Sequence, residues 1–221
     1  MARTIDPGLA ELRALVARMG GRARDILAKA LHALRQRSRS LAAEVPRDDL
    51  EIDRLDVAID QAVLALLATQ TPVAQDLREV VAIKGIASDL ERIGDLARDI
   101  ARSAERLADA PSVAIPAELS VLADESSALL AEALECFASL DSSRAREVLH
   151  ADDRIDREEA GLIRRAIEEI QSRPVGGSQE VDFIFVAKSL ERVADHATNI
   201  AEDVVLVTEA RNLKHAAKLA G

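Results

Sequence analysis

The sequence predicts an all-α fold: six long helices arranged as two tandem three-helix bundles, an internal duplication. Three observations carry this expectation. Aromatic residues make up 1% of the 221 residues, three Phe with no Tyr or Trp, so Ala, Leu, Val and Ile must fill the core and aromatic β-strands are disfavoured. Nine Gly and six Pro leave long stretches without a break. Through those stretches apolar residues recur at three- and four-residue intervals, the period of one helix face. A hydrophobic content of 48% is enough to build a sizeable core despite 31% charged residues.

The elements follow in order. Leu12, Leu15, Val16, Met19, Ile26, Ala30 and Leu34 mark a first helix from Gly8 to about Ser40. Gly20-Gly21 is its weak point, since each Gly costs about 1 kcal/mol relative to Ala. Pro46 and Asp48 open a second helix that carries Leu50, Ile52, Leu55, Ile59 and Leu66 to about Gln70. Thr71-Pro72 reads as N-cap and first helical residue of a third, which runs to about Ala108. Asp109-Ala-Pro-Ser-Val-Ala-Ile-Pro116 is the one obvious linker. A fourth helix then reaches about Leu140, and a fifth spans about Ser143 to Ser172, before Arg173-Pro-Val-Gly-Gly177. A sixth runs from about Ser178 to about Leu219. The implied organisation is a first bundle over 1–109, a linker over 110–116 and a second bundle over 117–221.

The halves also correspond residue by residue. Asp53-Arg-Leu-Asp56 matches Asp153-Arg-Ile-Asp156, and Leu90-Glu-Arg-Ile-Gly-Asp95 matches Leu190-Glu-Arg-Val-Ala-Asp195, both offset by 100 (53 to 153, 90 to 190). Upstream, Ala28-Lys-Ala-Leu-His-Ala-Leu34 resembles Ala131-Glu-Ala-Leu-Glu-Cys-Phe137 at an offset of 103 (28 to 131), which places a short insertion before Asp53. A shared offset in two separate motifs is the mark of a tandem repeat.

Charge and composition narrow the function classes. With 39 acidic against 29 basic residues and no aromatic platform, nucleic acid is not an expected partner. The longest clear apolar run, Ala62 to Ala68, is far too short to span a membrane, so membrane association is expected only through partners. The N-terminal residues, with Asp6 and Pro7 ahead of any apolar run, do not read as a secretory signal. A single cysteine, Cys136, makes neither an internal disulfide nor a Cys-rich zinc site, and a reducing cytoplasm is the expected location.

The third and sixth helices share an apolar seam: Ile83, Ile86, Leu90, Ile93, Ala97, Ile100, Ala104 and Leu107 in one, Phe183, Val186, Leu190, Val193, Ala197, Ile200, Val204 and Val207 in the other. Glu91, Asp95 and Asp99, and likewise Glu191, Asp195 and Asn199, fall away from it on an oxygen-rich outer stripe. The second helix places Asp49, Asp53, Asp56 and Asp60 on one face, and the fifth offers Asp152, Asp153, Asp156 and Glu159. Like charges at this spacing cost about 0.2–0.5 kcal/mol per pair. If the two stripes of a repeat meet, bound cations would offset the repulsion, and such donors suit Mg, Mn, Ca or Fe. The plainer reading is a solvated acidic face paired with the interspersed Arg54, Arg92, Arg98, Arg154 and Arg192.

Other features point away from catalysis. His196 reads as a partly buried, hydrogen-bonded imidazole. Glu147-Val-Leu-His150 has the Glu-x-x-His spacing of carboxylate-bridged di-iron bundles, which need it twice, and it occurs once. Cys136 reads as core. No nucleophile elbow, Walker loop, dinucleotide-binding turn or His-Glu-x-x-His motif is present.

Thr71-Pro-Val-Ala-Gln-Asp-Leu-Arg78, with Asp89-Leu-Glu-Arg-Ile-Gly-Asp-Leu-Ala-Arg-Asp-Ile-Ala101, resembles the first-repeat signature of the PhoU family of phosphate transport regulators. Ala187-Lys-Ser-Leu-Glu-Arg-Val-Ala-Asp-His-Ala-Thr-Asn-Ile-Ala-Glu202 resembles its second. The resemblance implies a cytoplasmic, non-enzymatic adaptor between the ATPase subunit of a phosphate ABC transporter and a phosphate-sensing histidine kinase. Such an adaptor restrains uptake and represses the starvation response when phosphate is plentiful. It also implies a multinuclear or divalent metal, Fe or Zn in some members and Mg or Mn in others. The family's acidic motif falls on Glu91, Asp95 and Asp99 and on Glu191, Asp195 and Asn199, with Asp53, Asp56, Asp153 and Asp156 on the facing helices. The sequence departs from the family pattern at Ala194, where the first repeat has Gly94, and at Glu209, where Gly is frequent. Paired apolar seams are also compatible with a homodimer. The competing expectation is a metal-dependent hydrolase or oxidase built on the same carboxylates, which needs an open coordination position and a placed acid or base.

Overall fold

The computed structural model describes residues 5–110, 114–172 and 177–213. Among these, six long helices and one single-turn helix account for the regular structure: α1 (Asp6–Gln36), α2 (Arg39–Ala42), α3 (Val45–Thr69), α4 (Gln75–Asp109), α5 (Ala117–Ser139), α6 (Ser142–Ser172) and α7 (Gly177–Glu209). The all-α, six-long-helix expectation holds, and several boundaries move for local reasons.

The first helix ends earlier than its periodicity suggests. Arg37 adopts a left-handed conformation (φ 49°), its N–H donates to the Leu34 carbonyl, and the Ser38 N–H reaches back to Ala33. Ser38 then caps α2 through its hydroxyl, which accepts from the Leu41 N–H. The second repeat turns at the equivalent place through Leu140 (φ 52°), and the Asp141 carboxylate caps α6 by accepting from the Ser143 and Arg144 N–H groups. The inter-repeat offset is therefore 103 at the turn (37 to 140) and 100 by Asp153. The insertion read from the sequence is the extra turn of α2.

Thr71-Pro72 does not start a helix. Gln70 is extended, and the chain turns into α4 at Ala74, whose φ is 50°. α7 ends ten residues short of the expected Leu219, at Glu209, where Ala210 turns left-handed (φ 56°). Residues 111–113 of the expected linker, 173–176 of the break before α7 and 214–221 lie outside the described residues.

Gly20-Gly21 leaves α1 unbroken for a packing reason. A Cβ at Gly20 would lie 2.8 Å from Leu134 Cδ2, so this residue lets α1 of one repeat approach α5 of the other. The widest helix–helix contact in the molecule also joins the repeats, α4 against α7; α1 and α3 flank α4, and α5 and α6 flank α7. All sixteen seam residues named above are buried, and one continuous apolar core runs through both halves. Cys136 is a free, fully buried thiol in it. No helix among the described residues is long and apolar enough to cross a membrane.

Candidate metal centre

The geometry of each repeat brings its second and third long helices side by side, so the acidic stripes do meet. What they form differs between the repeats. In the second, α6 supplies Asp152 and Asp156, one turn apart, and α7 supplies Asp195. One carboxylate oxygen from each lies within 4.8 Å of the others, the one such grouping of three Asp, Glu, His or Cys among the described residues. The Asp152 Oδ1 atom is buried and has no hydrogen-bond partner. A buried acceptor left unpaired costs about 1–3 kcal/mol, which a bound cation would recover.

The acidities report the same crowding. Burial, and then the charges of Asp195, Asp156, Asp153 and Glu191, push Asp152 up to about 6. Burial and then Asp195 raise Glu191, and burial and then Asp156 raise Asp195 against the opposing pull of His196 and Arg192. Three hard oxygen donors, one orphaned and all under mutual repulsion, fit a divalent cation. A group with a raised folded-state pKa holds in the fold a proton that it releases on unfolding. The stability it contributes is thus present at low pH and is lost as pH rises from about 4 through 6. Asp152→Asn removes that loss. The variant should match the metal-free parent near pH 4 and melt above it at pH 7.5; equal melting curves at pH 7.5 would contradict this assignment of the strain.

The first repeat has the same stripes but fills them with its own cations. Lys84 Nζ lies 3.2 Å from Asp56 and 2.7 Å from Asp60. Arg98 donates to Asp49 at 2.7 Å and sits 3.1 Å from Asp95. Asp49 is 2% exposed, so the expectation that these acids all face outward is wrong here, as it is for Glu159, which pairs with Lys188 at 2.7 Å. Asp49 can enter because α4 carries Gly94 opposite it. A Cβ there would run into Asp49 Oδ1 and come within 3.2 Å of Ile52 Cδ1. Gly94→Ala is therefore expected to cost about 1–3 kcal/mol in thermal or urea unfolding, by expelling Asp49 from its pairing with Arg98.

Of the residues expected as ligands, Asp156 and Asp195 are gathered, with Glu191 half-buried and close enough to press on both Asp195 and Asp152. Asp153 is exposed and acts on Asp152 through its charge. Asn199 points elsewhere: its amide donates to Asp89 of α4 at 3.1 Å, beside His196, whose Nδ1 lies 2.8 Å from the same carboxylate. That bridge ties the repeats together and matches the hydrogen-bonded role expected of His196. In the first repeat Asp56 is held by Lys84, Glu91 and Asp95 by Arg92, Asp99 by Arg102 at 2.9 Å, and Asp53 is exposed. Asp152 belongs to the acidic face read from the sequence but not to the ligand set that the resemblance implied. Its signal was the four-residue step to Asp156. Lys84 was missed, and Arg98 was expected only as one of the arginines interspersed on the acidic face; the signal for both lay in the repeat alignment, which places Ile184 and Thr198 opposite them.

Comparison with known proteins agrees with this architecture. A PhoU domain model matches twice, over residues 16–104 and 119–204. The chain is 31% identical to the phosphate-specific transport system accessory protein PhoU homolog of Zymomonas mobilis, across 96% of this chain and 89% of that protein. It is 34% identical to the homolog of the same description from Caulobacter vibrioides, over 88% of this chain and 85% of that one. The crystal structure of PhoU from Pseudomonas aeruginosa superposes with a TM-score of 0.91 at 31% identity, covering 94% of this chain and all of that one. The phosphate transport system regulatory protein PhoU from Streptococcus pneumoniae gives 0.87 at 27% identity, over 95% and 99%. With a domain match in each half and relatives aligned over nearly its whole length, the chain belongs to the PhoU family.

Proposed function

We propose that this chain is a non-enzymatic, cytoplasmic regulator of phosphate uptake, coupling the ATPase subunit of a phosphate ABC transporter to a phosphate-sensing histidine kinase and repressing the starvation response when phosphate is plentiful. The observation that carries the reading is the PhoU domain matched in both halves, with full-length relatives described as phosphate transport accessory proteins. Exposed apolar surface supports it. The ends of α3 and α4 near their connection expose Leu64, Leu67, Val73, Leu77 and Val81, apolar surface that a regulator acting by contact would use. A second copy of the chain is a further possible occupant of such surface.

The metal enters as a structural element. Asp152, Asp156 and Asp195, with Glu191 alongside, would hold a divalent cation (Mg, Mn, Fe or Zn), which supplies charge neutralisation where α6 meets α7. The residues themselves fix the presentation of α6 and α7: Glu159 pairs with Lys188, and Asn199 and His196 anchor α7 to Asp89. The test is co-purification of the full chain with the transporter ATPase and the kinase, together with a phosphate-starvation reporter in a strain lacking the gene. Recovery of both partners and a reporter switched on without the gene in high phosphate are the expected results. A silent reporter and recovery of neither partner would overturn the reading.

A further inference from the structure

The two repeats place different residues at matched positions around the same acidic stripes. At an offset of 100, Ile52 stands where the second repeat has Asp152, Lys84 where it has Ile184, and Arg98 where it has Thr198. We infer that Lys84 and Arg98 are built-in replacements, in the first repeat, for the cation held by the second, so that metal is confined to the α6–α7 end of the molecule. This rests on the metal reading above and deepens it.

The geometry is that of neutralisation from within. Each of the two side chains bridges two carboxylates: Lys84 spans Asp56 and Asp60 within α3, and Arg98 joins Asp49 of α3 to Asp95 of α4. Together they bring two positive charges to four carboxylates, and Arg92 adds a third at 3.3 Å from Asp95. A metal entering here would have to displace an ammonium and a guanidinium already paired with its ligands; Asp49 Oδ1 is itself without a hydrogen-bond partner, but the other oxygen of that carboxylate holds Arg98 at 2.7 Å. The metal would also lack a donor, because Ile52 is a fully buried hydrocarbon where Asp152 offers an oxygen.

The second repeat has no counterpart of Lys84 or Arg98, although Arg192 stands at the position of Arg92 and its charge acts on Asp195. Its one lysine among the stripes, Lys188, is engaged with Glu159. Thr198 turns its hydroxyl to the Asp195 backbone carbonyl, and Asp152 Oδ1 is left without a partner. The consequence is a molecule that reads divalent metal at one end only. The α3–α4 face keeps its shape at any metal level, and the α6–α7 face responds.

Binding of Mn2+ to the full-length chain, measured by equilibrium dialysis with helicity followed by circular dichroism, tests this. Asp95→Asn should leave bound Mn2+ at the parental level. Asp195→Asn should weaken binding by at least about tenfold. The double variant Ile184→Lys/Thr198→Arg, which copies the first repeat's cations into the second at positions that are not part of the core, should do the same while remaining helical. Comparable losses in Asp95→Asn and Asp195→Asn, or parental binding by the double variant, would overturn the inference alone. A parent that binds no Mn2+ would overturn the metal reading itself, and this inference with it.

Discussion

Leu190→Ala is expected to destabilise the whole chain by about 3 kcal/mol and to lower a single melting transition by about 6–12 °C. Leu190 is fully buried in the seam of α7, so truncation removes the transfer energy of its side chain and leaves a cavity that long, packed helices relax around only in part. The size of the effect is less informative than its form. α7 makes its widest contact with α4 of the other repeat, and one core runs through both. The repeats share their central pair of helices, and neither can lose α7 or α4 and keep a core. Calorimetry should therefore show one transition displaced as a unit. Two transitions, with only the later half of the chain affected, would mean that the repeats fold as separate domains.

Arg98→Ala carries the second large effect, and its pH dependence identifies the cause. The substitution leaves Asp49, 2% exposed, without the guanidinium that neutralises it. Breaking a fully buried pair costs about 3–5 kcal/mol; Arg98 is partly solvated, so about 2–3 kcal/mol at neutral pH is expected. Burial already raises the Asp49 pKa above the usual carboxylate range despite the opposing hydrogen bond and charge of Arg98. Without Arg98 it rises further. A protonated Asp49 needs no cation, so the destabilisation should shrink as the pH is lowered from 7.5 towards 4.5. Urea unfolding at the two pH values measures the difference, and a pH-independent loss would assign the effect to packing of the Arg98 stem rather than to charge.

The long-range logic of this fold was legible in the sequence because it is periodic. The sixteen seam positions follow a three-four alternation, and that alternation fixes which side of α4 and α7 is buried whatever the neighbours are. The repeat was legible because Asp53 and Leu90 share one offset with Asp153 and Leu190. The turns were harder to read for a specific reason. Among the described residues, those with positive φ outside glycine are Arg37, Ala74, Leu140 and Ala210, so at these places the chain reverses or changes course without the Gly or Asn that usually announces it. α2 was hidden in this way at the expected end of the first helix, near Ser40, and the start of α4 was assigned to Thr71-Pro72 because that pair carries a stronger local signal than Ala74.

The site was half legible. Helical spacing showed that the acids of α3, α4, α6 and α7 form faces, and the pairing of those faces followed from the repeat. Which acid would be buried, paired or left unsatisfied depends on the residue opposite it, and no periodicity encodes that. Gly94 opens a space for Asp49, Lys84 draws Asp56 and Asp60 together, and Asn199 leaves its stripe for Asp89 on the other repeat. The acidic motif looks equivalent in the two halves, whereas the charges around it are not.

The most direct test of the account is amide hydrogen exchange on the full-length protein, with and without saturating Mn2+, resolved by peptide. The account predicts slower exchange on metal binding in peptides covering Asp152–Asp156 of α6 and Glu191–Asp195 of α7, with α3 and the facing stretch of α4 unchanged. Equal protection of both repeats, or protection confined to α3 and α4, would contradict it.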